Sequence, residues 1–244
     1  MLRGCSTLKS QVETIDCTRI RNRIRSQEKE AVATESELSL YVEDKFDSHF
    51  LYSAGLEECM VYGYLLSSGR ISNKEEIETI VFDGSECRVN LAEGSTPNLE
   101  QTKQQGTVSF EKLLEIRDLL LKSQNNHRAT RGFHGAILYE LTTNRWFTSE
   151  DIGRHNAVDK VIGHGLQEGY ILSNSLFLVS GRLVSNIVSK GIFAGIPVIA
   201  SMTVATSEGI KKARENNRTL VGSLSEEGCW LYHEGDLKVK TTIQ

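Results

Sequence analysis

Arg154 and His155 stand side by side at the head of a segment whose apolar residues, Val158, Val161, Ile162 and Leu166, recur at helical spacing. A helix start exposes backbone N–H groups, so a guanidinium and an imidazole placed there make an anion site, with Gly153 at the turn into it. A spacing of four puts His155 over Asp159 and Asn156 over Lys160, so each pair can brace itself while Asp151 steers Arg154 and His155. Two more segments have related chemistry. Ser180, Gly181, Arg182 and Ser185 follow an apolar run ending at Val179, and Ser201, Thr203 and Thr206 follow one ending at Ala200. Glycine lets backbone approach a ligand, and the hydroxyls and guanidinium supply donors. In an open α/β sheet ligands bind beyond the carboxyl ends of the strands, so these three segments are expected to converge on one pocket. The plainer reading of each is helix capping by Ser and Thr, with Asp–His pairs as solvated salt links.

Other chemistries find less support. Asp151, His155 and Asp159 form an i, i+4, i+8 stripe, but no second ligand pair with zinc spacing follows, so no metal site is expected. Five cysteines, Cys5, Cys17, Cys59, Cys87 and Cys229, occur singly without a CxxC pair, which points to free thiols. Cys59 falls on an apolar helical stripe and is expected in the core, Cys87 falls in a strand, and Cys229 is the one weak candidate for a catalytic thiol.

These residues must be held by a scaffold. From Gly132 onward short apolar runs alternate with helical segments, the pattern of a layered α/β domain. Strands are expected over Ala136 to Leu141, Arg145 to Thr148, Ser175 to Val179, Pro197 to Ser201, Thr219 to Gly222 and Cys229 to His233. Helices are expected from Asn156 to Leu166, Ser185 to Ala194 and Ser207 to Asn216. Upstream, Glu35 to Leu91 reads as a small α+β unit, with a helix over Ala54 to Leu66 and a hairpin turning at Asp83 and Gly84. The alternating Ile and Arg of Ile20 to Arg25 suit a two-faced edge strand or a basic arm. Residues 92–106 lack an apolar period and read as a linker, and a helix over Val108 to Lys122 follows, capped by Ser109 or Thr107. The expected division is a small α+β N-terminal domain with its linker over 1–107 and an α/β cofactor-binding domain over 108–244.

A chain of 244 residues with 39% apolar and 25% charged residues folds into one large domain or two ordinary ones. No stretch approaches the roughly 20 apolar residues of a spanning helix, and the opening residues lack the apolar core of a secretory signal. A cytoplasmic protein with no membrane partner is expected. The net charge of −4 argues against a nucleic-acid surface, so any anion site is built locally.

The run EDIGRHNAVDKVIG, Glu150 to Gly163, resembles the signature of the formate dehydrogenase accessory protein family, FdhD. Other elements resemble that family in order: Thr130 to Ala136, with His134; Ser180 to Ser185 followed by Lys190; the Ser- and Thr-rich Ser201 to Thr206; and Thr219 to Gly222 leading to a cofactor-contacting loop, Ser223 to Gly228. The resemblance implies a cytidine deaminase-like, three-layer C-terminal domain with a smaller α+β N-terminal domain, as a homodimer. It further implies a sulfurtransferase that takes persulfide from a cysteine desulfurase and passes sulfur to a molybdopterin guanine dinucleotide before insertion into formate dehydrogenase apoenzyme. A GDP-like nucleotide is then the simplest ligand. Cofactor binding falls by resemblance on His134, Asp151, Gly153, Arg154, His155, Asn156, Asp159, Lys160, Ser180, Gly181, Arg182, Ser185, Lys190, Ser201, Thr203, Thr206, Ser223 and Gly228. Deamination is not implied, because that chemistry needs H-x-E and a later P-C-x-x-C, whereas His134 is followed by Gly135 and Ala136.

One departure bears on activity. Where the family carries a CxxC-type loop, this chain has Ser95 to Gly106 with no cysteine. Persulfide transfer needs a sulfur nucleophile, and neither serine nor threonine replaces it. The alternative reading is a non-catalytic cofactor-binding module or chaperone that has lost persulfide transfer.

Overall fold

The computed structural model describes residues 10–92 and 106–241. The Ser95 to Glu100 part of the cysteine-free linker, Cys5, and residues 101–105 lie outside them. The chain opens with β1 (Val12–Arg21) and β2 (Ile24–Ala33), an antiparallel hairpin in unbroken register. Asn22 and Arg23 turn it with φ of 51° and 67°, the left-handed pair that a two-residue hairpin loop requires. Ile20 to Arg25 is therefore the tip of a hairpin rather than one edge strand. The Ile/Arg alternation gives no clue to this, because neither face of the arm meets a core.

A four-stranded sheet follows, from β3 (Ser36–Val42) and β4 (Lys45–Tyr52), then helix α1 (Glu57–Ser67), then β5 (Ile77–Asp83) and β6 (Glu86–Leu91), in the order β4-β3-β6-β5. The short strand β7 (Gly106–Ser109) leads into α2 (Phe110–Ser123), whose cap is Ser109, accepting from the Lys112 N–H at 3.1 Å. After α3 (Asn125–Thr130) come β8 (His134–Glu140), β9 (Trp146–Asp151), α4 (Arg154–Gln167), β10 (Ser175–Val179), α5 (Ser185–Phe193), β11 (Val198–Ser201), α6 (Ser207–Glu215), β12 (Thr219–Ser225), β13 (Gly228–His233) and β14 (Leu237–Lys240). These build a six-stranded sheet ordered β13-β12-β11-β10-β8-β9, while β14 pairs in parallel with β7.

Alternation along the strands divides the core between the two faces of this sheet. Ile137, Tyr139, Leu176, Leu178, Val198, Ala200 and Val221 pack with Leu113, Ile116 and Leu120 of α2. Ala136, Leu138, Phe177, Val179, Ile199 and Leu220 face the other way, into a cluster shared with α4, α5, α1 and the inner residues Leu38, Leu40 and Val89 of the four-stranded sheet. The result is a mixed α/β architecture in which one helical layer, α1 with α4 and α5, is sandwiched between two sheets. Gly63 of α1 and Gly163 of α4 let those helices touch: a Cβ on Gly163 would lie 1.8 Å from the Cys59 carbonyl oxygen, and one on Gly63 1.8 Å from that of Asp159. Among the described residues no helix is long and apolar enough to cross a membrane.

Candidate functional site

The six-stranded sheet brings the start of β8 and the ends of β9, β10 and β11 to one edge of the layer, through the register pairs His134 with Asp151, Ala136 with Val179, and Val179 with Ser201. Helices α4, α5 and α6 all begin there. Thr206 caps α6, accepting from the Gly209 N–H at 3.3 Å, as the plain capping reading expects. Neither α4 nor α5 has a side-chain cap, so their first turns keep free N–H groups.

The loops at this edge are fastened to one another. The Ser180 N–H donates to the Gly135 carbonyl, and the Gly135 N–H to Ser180 Oγ, both at 2.9 Å. Ser201 Oγ donates to the Gly181 carbonyl at 2.7 Å and accepts from the Thr203 N–H at 2.9 Å. Gly181 lies against Arg154: a Cβ there would come within 3.1 Å of Arg154 Cδ and 3.5 Å of His134 Nδ1. The glycine thus makes room for the arginine. Arg154 Nε is buried and makes no hydrogen bond to the described protein. Burial pushes the His134 pKa down, helped by the positive charges of Arg154, His127 and Arg182. His134, Arg154, Gly181, Arg182, Ser201 and Thr203 form one electropositive strand-end cluster, with the Arg182 side chain exposed beside it.

Other residues singled out from the sequence go elsewhere. Asp151 does not steer Arg154 or His155. Its Oδ2 receives Lys160 Nζ at 2.7 Å and the Ser53 N–H at 3.1 Å, and its Oδ1 receives the Gly153 N–H at 2.8 Å and Asn156 Nδ2 at 3.0 Å. Asp159 and Lys160 do not brace their helical neighbours either. Asp159 pairs with Lys190 of α5 and accepts from Ser67 Oγ at 2.7 Å, and Lys160 reaches the Ser53 carbonyl at 2.7 Å. A spacing of four on one helix cannot reveal partners on other elements, and Ser53 and Ser67, which complete both buried networks, carry no sequence signal.

All three segments thus reach the strand-end cluster, through Arg154, Gly181 with Arg182, and Ser201 with Thr203, while Asn156, Asp159 and Lys190 turn away from it. A cleft of about 510 Å³ opens between β4, α1 and the first turns of α4 and α5, lined by Ser48, Tyr64, His155, Asn186, Lys190 and Lys212 among others, with Asn156 and Asp159 in its wall. His155 Nε2 is buried there without a partner, and its pKa is pushed down to about 4 by burial first and then by Arg154, Lys190 and His134. Ser185 sits at the first turn of α5, between cluster and cleft in sequence, its hydroxyl 3.4 Å from Asn186 Oδ1.

The expected loop over Ser223 to Gly228 is also corrected. Strand β12 runs on to Ser225 and leaves a tight turn at Glu226 and Glu227, because a bulge after Gly222 absorbs the irregularity that reads as loop in sequence. Ser223 takes φ of 50° there, and its N–H donates to the Thr203 carbonyl at 2.8 Å, so it borders the cluster. Gly228 and Cys229 line a hollow of about 290 Å³ that Ser223 also lines. Cys229 is half-buried, which raises its thiol pKa. Burial raises Cys87 to about 12 and Cys59 to about 11. Cys59 is not a core residue: it is partly exposed, with its thiol donating to Gln167 Oε1 at 3.0 Å. Among the described residues no three His, Cys, Asp or Glu side chains gather as metal ligands.

A model described as the FdhD/NarQ family matches residues 93–237, the stretch that contains the strand-end cluster, its helix starts and the linker. The chain belongs to the FdhD/NarQ family. Two curated FdhD relatives match over most of both chains. The sulfur carrier protein FdhD of Sulfurisphaera tokodaii is 31% identical over 91% of this chain and 97% of its own length. That of Sulfolobus acidocaldarius is 28% identical over 87% and 92%. A crystal structure assigned as a formate dehydrogenase accessory protein, from Desulfotalea psychrophila, superposes with a TM-score of 0.80 at 27% identity, covering 92% of this chain and 97% of that one.

Proposed function

We propose that this FdhD/NarQ protein is a formate dehydrogenase accessory protein that holds the guanine dinucleotide form of the molybdenum cofactor by its phosphates. The carrying observation is the strand-end cluster, where a buried, unpartnered Arg154 Nε adjoins Gly181 and two uncapped helix starts at one end of the sheet. The donor set fits a diphosphate: guanidinium groups from Arg154 and Arg182, free N–H groups of two helices, and the Thr203 hydroxyl. Burial, and then the positive charges of Arg154, His127 and Arg182, lower the His134 pKa and disfavour a further positive charge there, while its ring can still donate a hydrogen bond. When bound, the cofactor supplies the molybdenum centre that accepts sulfur. The chain's own residues orient it and shield it from water. The client is a formate dehydrogenase apoenzyme, and the sulfur source, where one is used, is a cysteine desulfurase. The helix-coated six-stranded sheet supports a deaminase-like description of residues 108–244.

Calorimetry with GDP tests this reading. Wild-type protein is expected to bind, and Arg154→Ala and Arg182→Ala each to weaken binding by about 1.5–3 kcal/mol, roughly ten- to a hundredfold. Absence of both heat and thermal shift at millimolar GDP would sink it.

The second reading concerns sulfur. Burial raises the thiol pKa of Cys59, Cys87 and Cys229, which disfavours the thiolate that transfer needs. That favours a holder of cofactor over a carrier of persulfide.

A further inference from the structure

The cleft between β4 and α1 on one side and α4, α5 and α6 on the other has a chemistry distinct from that of the strand-end cluster. Its volume of about 510 Å³ falls within the roughly 300–1,000 Å³ of small-molecule sites. Three aromatic rings build its apolar wall. Phe50 of β4 and Tyr64 of α1 meet edge to face with centroids 5.1 Å apart. Phe193, at the last turn of α5, lies on Gly69, where a Cβ would come within 2.9 Å of its ring. None of the three belongs to the strand-end cluster.

The charges in the cleft do not cancel. Lys190 spends all three ammonium protons, on the two oxygens of Asp159 at 2.7 and 2.8 Å and on Ser67 Oγ at 3.1 Å, so that pair is closed and neutral. Asp159 is the one carboxylate in the lining. Lys212 of α6 differs. It donates to Ser189 Oγ at 2.7 Å and pairs with no carboxylate among the described residues, which leaves two of its protons without a protein acceptor. Asn186 lies three residues before Ser189 on α5, hence on the same face, and its amide nitrogen has no partner among the described residues. His155 adds no charge near neutral pH, because burial pushes its pKa down to about 4. One positive charge is therefore uncompensated, and amide and hydroxyl donors stand beside it. A phosphate is better served by the guanidinium groups and free helix N–H groups of the strand-end cluster. A single ammonium suits a single carboxylate, and three rings suit a flat apolar body.

We infer that the cleft is a second ligand site, which takes an aromatic carboxylate: the carboxylate against Lys212, Ser189 and Asn186, the ring against Phe50, Tyr64 and Phe193. The assignment does not rest on the cofactor reading, because a protein that ignores GDP can still hold such a ligand.

Calorimetric titration of the full chain with anthranilate is the test, with benzamide as a ring without the charge and acetate as the charge without a ring. Wild type is expected to bind one anthranilate per chain, and benzamide and acetate each about tenfold more weakly or worse. Lys212→Met should raise the anthranilate dissociation constant about tenfold or more with its urea midpoint unchanged, and Lys212→Arg, which keeps the charge, should recover most of that loss. Phe193→Ala should weaken binding through the lost ring contact. Saturating GDP should leave the anthranilate affinity as it is. The comparison of probes on wild type needs no variant, so it decides the matter even where Lys212→Met fails to fold. No heat with millimolar anthranilate, benzamide bound as tightly as anthranilate, a folded Lys212→Met variant that binds as wild type does, or displacement by GDP would each overturn the proposal, the last by putting the ring in the strand-end cluster.

Discussion

Lys190 of α5 sets its ammonium 2.7 and 2.8 Å from the two carboxylate oxygens of Asp159 on α4, in a site where Asp159 is 1% exposed. Ser67 of α1 donates to the same carboxylate at 2.7 Å, so three helices are joined at one buried charge. Burial pushes the Asp159 carboxyl above its usual range even against the pull of Lys190 and Ser67, which means the pair offsets desolvation only in part. Removing one partner is then costly. Lys190→Met should destabilise the fold by about 3–5 kcal/mol, because it strands a buried carboxylate, whereas the double variant with Asp159→Leu should recover at least half of that. Urea unfolding checks it; equal stability of single and double variants would show that the two residues are not coupled.

The contact between α1 and α4 sets a second expectation. A methyl on Gly163 would sit 1.8 Å from the Cys59 carbonyl oxygen, and backbone cannot step aside as a side chain can. Gly163→Ala should cost about 3 kcal/mol or more by forcing the helices apart. Gly169→Ala is a control on the same helix's exit, where nothing lies within 4 Å but φ is +66°, and about 1 kcal/mol is expected. Comparable midpoints in urea for the two variants would contradict the close crossing.

His155 gives the protein an acid-sensitive element. Its folded pKa of about 4 lies below the unfolded value of about 6.5, so below that value the unfolded state binds more protons than the folded one. The stability it contributes is complete above about pH 6.5 and is lost as pH falls toward 4. The charged groups acting on it are, in order of strength, Arg154, Lys190 and His134, none of them an anion, so none rescues the imidazolium. With the imidazole only part-buried, solvent screening reduces the effect to the order of 1–2 kcal/mol. Between pH 7 and pH 4 the thermal midpoint of wild type should fall further than that of His155→Asn, which has no proton to bind at this position; parallel curves would rule the effect out.

The sequence made the parallel core legible and the periphery obscure, for physical reasons. β10 and the start of α5 fall where the sequence puts them, because buried strands read as unbroken apolar runs bounded by Ser and Gly. β7 and β14 escape notice: each has four residues, and their pairing joins Gly106 to Leu237 across most of the α/β segment. The three helix starts are visible as Gly, Ser and Thr after strands. Their division into a strand-end cluster and a separate cleft is not, since it depends on which side of α4 each residue faces and on partners such as Ser53 and Lys190 that are distant in sequence.

The last expectation concerns sulfur. No cysteine occurs from Arg88 to Glu227, a span that includes the linker where family resemblance expects the transferring thiol. Of the four described cysteines, Cys17 lies on β1 opposite Glu28, and the other three are poorly prepared. Cys87 is fully buried in β6 and its thiol is raised to about 12; Cys59 is raised to about 11 and already donates to Gln167. Cys229 borders an open hollow, but burial raises its thiol as well, and no cation is among the causes acting on it. A persulfide-forming thiol needs its pKa lowered toward ambient pH by a nearby positive charge or helix start. Incubation with a cysteine desulfurase and cysteine should therefore leave the intact mass unchanged within one sulfur, at neutral pH and under conditions that load a CxxC-bearing relative. Should a stoichiometric sulfur appear and then vanish in Cys229→Ser, a relocated cysteine would carry the transfer and the holder reading would fail.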